Sequence, residues 1–102
     1  MSRPGSVSEI CRLRGEVARV DRELQRALLR RLRLAAAIGR MKRDRGLPLR
    51  DRGVEEKVVM RWIQSLSGWG IPQRQAASLA RWLIRESIRI QARRSRARSR
   101  TP

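Results

Sequence analysis

Histidine, tyrosine and phenylalanine are absent from the 102-residue sequence, and cysteine occurs once, at Cys11. Without histidine and with a single thiol, a zinc site, a Ser/His or Cys/His nucleophile pair and an intrachain disulfide all fall away. Cys11 lies in a helical stretch and is expected to be a small packed side chain rather than a nucleophile. Acidic residues are few as well: 9 Asp plus Glu stand against 26 Lys plus Arg, for a formal charge of +17. A surface so charged attracts anions, whether nucleic acid, acidic lipid or a small polyanionic substrate. Nearly all the cations are arginine, Lys42 and Lys57 being the only lysines, so arginine number alone is a weak guide to function. No uncharged run approaches the ~18 apolar residues of a membrane span, and Met1-Ser2-Arg3-Pro4-Gly5 lacks the apolar stretch of a secretory signal. A cytoplasmic protein is expected.

What is present is helical periodicity. Ser6 stands three residues before Glu9, the spacing of a capping box, and Ser8 is an equally good cap. From there Ile10, Leu13, Val17, Val20, Leu24, Ala27, Leu34, Ile38 and Met41 recur at three- and four-residue spacing until Gly46-Leu47-Pro48, which predicts a first helix from about Ser8 to Asp44. At ~1.5 Å per residue it is about 50 Å long, more than the rest of so short a chain covers, and its heptad spacing predicts a partner helix from a second copy. Asp51 can cap a short second helix with Val58, Val59, Trp62, Ile63 and Leu66 on its apolar side, ending at Ser67-Gly68-Trp69-Gly70 and weakened at its start by Gly53. Pro72 suits the first turn of a third helix of medium length, with Ala76, Leu79, Ala80, Leu83, Ser87, Ile90 and Gln91 on one side. The fold class expected is all-α, with a flexible N-terminus over residues 1–7, a helical domain over 8–91, and a disordered Arg/Ser-rich tail over 92–102.

A few residues break the apolar pattern. Positions 10, 17, 24, 31 and 38 are heptad equivalents, and Arg31 occupies one while the others carry Ile10, Val17, Leu24 and Ile38. Taken alone, it reads as a snorkelling arginine or one paired with Asp21 or Glu55. Lys42 follows three turns later, about 16 Å along the axis on nearly the same face, so both long side chains can reach one ligand between them. A lysine in an arginine-rich chain fits a need for a compact ammonium, or chance. Ser87 and Gln91, four residues apart, extend the inner stripe of the third helix with neutral hydrogen-bonding groups, unless that face turns to solvent near its end. Arg14 lies about 25 Å from Arg31 on the first helix, too far to share a ligand within one chain, but within reach from an antiparallel partner.

The ordered series Leu13-Arg14, Val20-Asp21, Leu28-Leu29 with Arg31, Ala35 to Gly39 with Lys42, Pro48-Leu49-Arg50-Asp51, Glu55, and Ile84-Arg85-Glu86-Ser87 with Gln91 resembles the all-helical class of chorismate mutase. The resemblance covers roughly residues 9 to 91 without an insertion. It implies an intertwined homodimer that rearranges chorismate to prephenate for phenylalanine and tyrosine synthesis in the shikimate pathway, without a cofactor or a metal. By the same resemblance Arg31 and Arg14 of the partner subunit would hold substrate carboxylates. Lys42 would touch a carboxylate and the ether oxygen, and Gln91 would donate to that oxygen. Glu55 and the backbone of Asp51 would face the ring hydroxyl, with Ser87 at the ring carboxylate. One departure stands out: Val54 precedes Glu55 where the family usually has arginine. Arg52, three residues from Glu55, is a candidate to compensate; otherwise the pocket suits a 4-amino analogue of chorismate.

A Claisen rearrangement is unimolecular and needs no proton transfer, nucleophile or metal, so the missing histidines cost it nothing. The rival reading is a basic helical protein that binds nucleic acid without reading sequence, motivated by the charge and the Arg/Ser-rich end. It leaves Arg31, Ser87 and Gln91 unexplained. A third reading is a dimeric helical scaffold that has lost activity, with Val54 as its first sign.

Overall fold

The computed structural model describes residues 5–99, with side chains described as far as Ala92. It contains three helices, α1 (Val7–Asp44), α2 (Arg52–Ser67) and α3 (Gln73–Ser99), and no strand among the described residues. The all-α class expected from the sequence is correct. The chain divides into two compact units, Met1–Arg31 and Leu32–Pro102.

The first unit is the leading part of α1. Its start is set by Ser6, whose Oγ accepts from the Glu9 N–H at 3.2 Å while its carbonyl accepts from Ile10 N–H at 2.9 Å. Of the two candidate caps Ser6 is the one used, and Ser8 lies inside the helix. Arg12 pairs with Glu9 one turn back and with Glu16 one turn on, the latter at 2.9 Å, the spacing at which side chains on a helix meet. The apolar row is not covered within the chain: Val17 is 60% and Leu24 62% exposed. Cys11, expected to be packed, is exposed for the same reason.

The second unit holds the core. The end of α1 is closed by Gly46, whose φ of +66° is the left-handed conformation that an L side chain resists, with Leu47 N–H donating to the Lys42 carbonyl at 2.8 Å. Asp51 caps α2 as expected, its carboxylate accepting from Val54 N–H at 3.1 Å. Pro72 immediately precedes α3, and its carbonyl accepts from Gln75 and Ala76 N–H. Proline fits here because its missing N–H would have no helical partner anyway.

Val59, Ala80 and Ile84 form the centre of the packing, with Val58, Trp62, Ile63, Ala77 and Ile88 against them. Leu79, expected on the inner side of α3, is 44% exposed. The α3 side chains in this packing are Ala77, Ala80, Ile84 and Ile88, and Leu79 lies off that row. Only one large side chain, Val59, is fully buried among the described residues. At about 1.5–3 kcal/mol per fully buried aliphatic side chain, so small a core is thin support for 102 residues.

α3 continues as far as Ser99, into the stretch 92–102 that was expected to be a disordered tail. Nothing stops the helix there, since Ala and Arg are strong helix formers and no Gly or Pro intervenes before Pro102. Residues 1–4 and 100–102, which belong to the two expected flexible ends, lie outside the described residues.

Candidate active site

Lys42 occupies the last turn of α1, half-buried, and its Nζ donates to the Leu49 carbonyl at 3.0 Å. That bond ties the ammonium to the turn leading into α2, where Arg50, Asp51 and Glu55 follow. The Asp51 carboxylate is committed to capping, and its carbonyl accepts from Glu55 N–H at 3.0 Å.

Glu55 is held by Arg50, not chiefly by Arg52. The Arg50 guanidinium donates to both carboxylate oxygens, at 2.7 and 3.2 Å, a bidentate pairing stronger than a single contact. This bond keeps the Glu55 carboxyl below the usual carboxylate range; burial pushes the other way, and Arg52 adds a smaller downward pull. Val54, where a cation was missing, is exposed. The cation that pairs directly with Glu55 is Arg50.

The lowered pKa of Glu55 has a stability consequence with a definite sign. An unfolded chain binds more protons than the folded one between the two pKa values, so the pair's contribution is full above the unfolded value and lost as pH falls through the folded one. Arg50→Ala is expected to flatten the acid side of a Tm-against-pH curve. Matching acid limbs for both proteins would show that the pair contributes nothing.

Ser87 and Gln91 are each 7% exposed, so the inner face of α3 is covered at these two positions. The Ser87 hydroxyl donates to the Leu83 carbonyl at 2.8 Å. Gln91 packs on α1 at Gly39, which is buried; a Cβ there would lie 2.6 Å from Gln91 Cγ. Glycine at 39 is what lets Gln91 in, and Lys42 stands one turn further along the same helix. Arg43 closes the group: its Nη1 donates to the Gln91 carbonyl at 3.2 Å. Arg43 Nη2 and Gln91 Oε1 are both buried without a hydrogen-bond partner among the described residues. A buried polar atom left so costs about 1–3 kcal/mol, and Gln91 is therefore a group awaiting a partner.

The second unit thus brings together Lys42, the turn carrying Asp51 and Glu55, and the buried pair Ser87 and Gln91. Arg14 and Arg31 belong to the first unit, where Arg14 is exposed and Arg31 half-buried. Gly39 and Arg50 stand in the matched series without an assigned role, and Arg43 was not singled out. A lone glycine inside a helical pattern is a signal of close packing, but Arg43 and Arg50 are hidden in a chain full of arginine. A groove of about 420 Å³ between α2 and α3, walled by the Glu56–Arg81 ion pair, shares no residue with the candidate set.

Residues 13–92 match the family described as chorismate mutase type II, and since that is most of the chain, the protein belongs to this family. It is accordingly an isomerase, a chorismate mutase. The matched span contains every candidate residue from Arg14 to Gln91. No curated protein and no solved structure matches the chain.

Proposed function

We propose that the protein converts chorismate to prephenate, on the route to phenylalanine and tyrosine, in the cytoplasm and as a homodimer with residues 8–91 as its catalytic domain. Among the described residues no helix is long and apolar enough to cross a membrane. The observation that carries the reading is the burial of Ser87 and Gln91 on one face of α3, with Gln91 packed on Gly39 one turn from Lys42. Two neutral hydrogen-bonding groups beside a half-buried ammonium suit a dianion whose reaction needs orientation and charge stabilisation only.

In this site Arg31 and Arg14 of the partner subunit hold the carboxylates and keep the substrate in its compact, chair-like form. Lys42 and Gln91 face the ether oxygen, on which negative charge grows as the C–O bond breaks, and preorganised donors aimed there act without reorganisation. Ser87 serves the ring carboxylate. Glu55 accepts from the ring hydroxyl, with the backbone of Asp51 beside it. The chemistry proposed draws on these side chains and no cofactor.

Chorismate is favoured over its 4-amino analogue because Arg50 already neutralises Glu55. An ammonium at ring position 4 would meet a carboxylate whose charge is spent. The experiment is a time course of purified protein with each substrate, following substrate loss and product. Prephenate formed from chorismate in preference to turnover of the analogue is expected; turnover of the analogue alone, or of neither, would overturn the reading. A second activity, nonspecific nucleic-acid contact, is suggested by the +17 charge and the Arg-rich end. It requires a salt-sensitive gel shift that deletion of residues 92–102 abolishes.

A further inference from the structure

Arg43, whose side chain binds the Gln91 backbone carbonyl, and Gln91 itself each carry a buried, unpartnered side-chain polar atom, and the two atoms are complementary. Arg43 Nη1 binds the Gln91 carbonyl at 3.2 Å, Arg43 Nη2 is a donor without an acceptor, and Gln91 Oε1 is an acceptor without a donor among the described residues. We propose that Arg43 is a positioning residue for Gln91, its Nη2 engaging Oε1 so that the Nε2 end of the amide is the one presented to substrate. The proposal rests on the chorismate mutase reading above.

The chemistry of the two groups gives the direction. A guanidinium has donors and no acceptor, whereas an amide has one of each kind at its two ends. Whichever end of the Gln91 amide turns toward Arg43 must then be the oxygen, and the NH₂ end is left facing the other way. Without Arg43 nothing distinguishes the two orientations, which differ only by rotation about a soft terminal torsion. Gly39 removes the remaining freedom: a Cβ there would sit 3.0 Å from Gln91 Cβ and 3.1 Å from Cδ, so the side chain lies flat on the α1 backbone. A charged donor on Oε1 also polarises the amide and strengthens Nε2 as a donor.

The test is steady-state kinetics on Arg43→Met, which keeps the apolar stem, Arg43→Lys, Gln91→Ala and the Arg43→Met/Gln91→Ala double variant. Arg43→Met is expected to lower kcat by about tenfold with KM little changed, because the interaction is realised in the transition state. Arg43→Lys should recover much of the loss. In the Gln91→Ala background, Arg43→Met should cost nothing further, since two residues acting through one contact are not additive. A rise in KM alone would make Arg43 a substrate cation instead, and an equal loss in both backgrounds would sever it from Gln91; either overturns the proposal, as does an unchanged kcat. If wild-type protein forms no prephenate, the function reading fails by itself. The pairing is then read from the Gln91 side-chain amide by NMR, whose two proton signals should shift and exchange faster in Arg43→Met. Unchanged signals would overturn it.

Discussion

Lys42→Ala is expected to lower kcat for chorismate by about two orders of magnitude or more, the loss seen when a single preorganised group facing a developing oxyanion is removed. The rearrangement offers no proton transfer to slow and no intermediate to trap. Its barrier is lowered only by holding the substrate and by answering the charge on the ether oxygen. In a site closed to water a fixed ammonium counts for several kcal/mol, where at an open surface it would count for a fraction of one. The Leu49 carbonyl at 3.0 Å holds that ammonium in place before substrate arrives. Neighbouring Arg43 is not a ready substitute, because its Nη1 anchors it to the Gln91 backbone carbonyl. The same Leu49 bond makes a modest loss of stability part of the expectation, about 1 kcal/mol for one hydrogen bond, visible as a small drop in Tm. A folded Lys42→Ala protein with near-normal turnover would remove Lys42 from the mechanism.

The helix ends were legible because capping chemistry is local. Asp51, Gly46-Leu47-Pro48 and Pro72 act where the sequence places them, each meeting a need of the nearest few backbone groups. The side facing the core was less legible. A stripe read from spacing alone put Leu79 inside, whereas packing against α2 runs through Ala77, Ala80, Ile84 and Ile88. For the candidate site, the residues proposed are those that violate a pattern: Arg31 in an apolar heptad row, and Ser87 with Gln91 on an inner stripe. Arg43 and Arg50 violate nothing in a chain where arginine is everywhere. Arg50 also reaches Glu55 across the turn before α2, where helical spacing rules give no guide, so Arg52 looked the better candidate.

Mixing inactive Arg14→Ala and Lys42→Ala subunits is expected to restore activity, and this is the sharpest test of the dimer. Along α1 the apolar heptad row at Ile10, Val17, Leu24 and Ile38 is at least 40% exposed throughout. Single exposed apolar residues are ordinary, but a whole row on one helix face fits a partner helix. If Arg14 serves the other subunit's site while Lys42 serves its own, each variant homodimer carries one lesion in both sites. A mixed dimer carries both lesions in one site and none in the other. Random reassortment of equal amounts makes about half the dimers mixed, each with one intact site of two, so about a quarter of wild-type activity should return. The two variants are unfolded together and refolded, with native mass spectrometry to count mixed dimers. Mixed dimers without recovered activity would place Arg14 outside the partner's site, and the absence of dimers in the wild-type protein would require each site to be built from one chain.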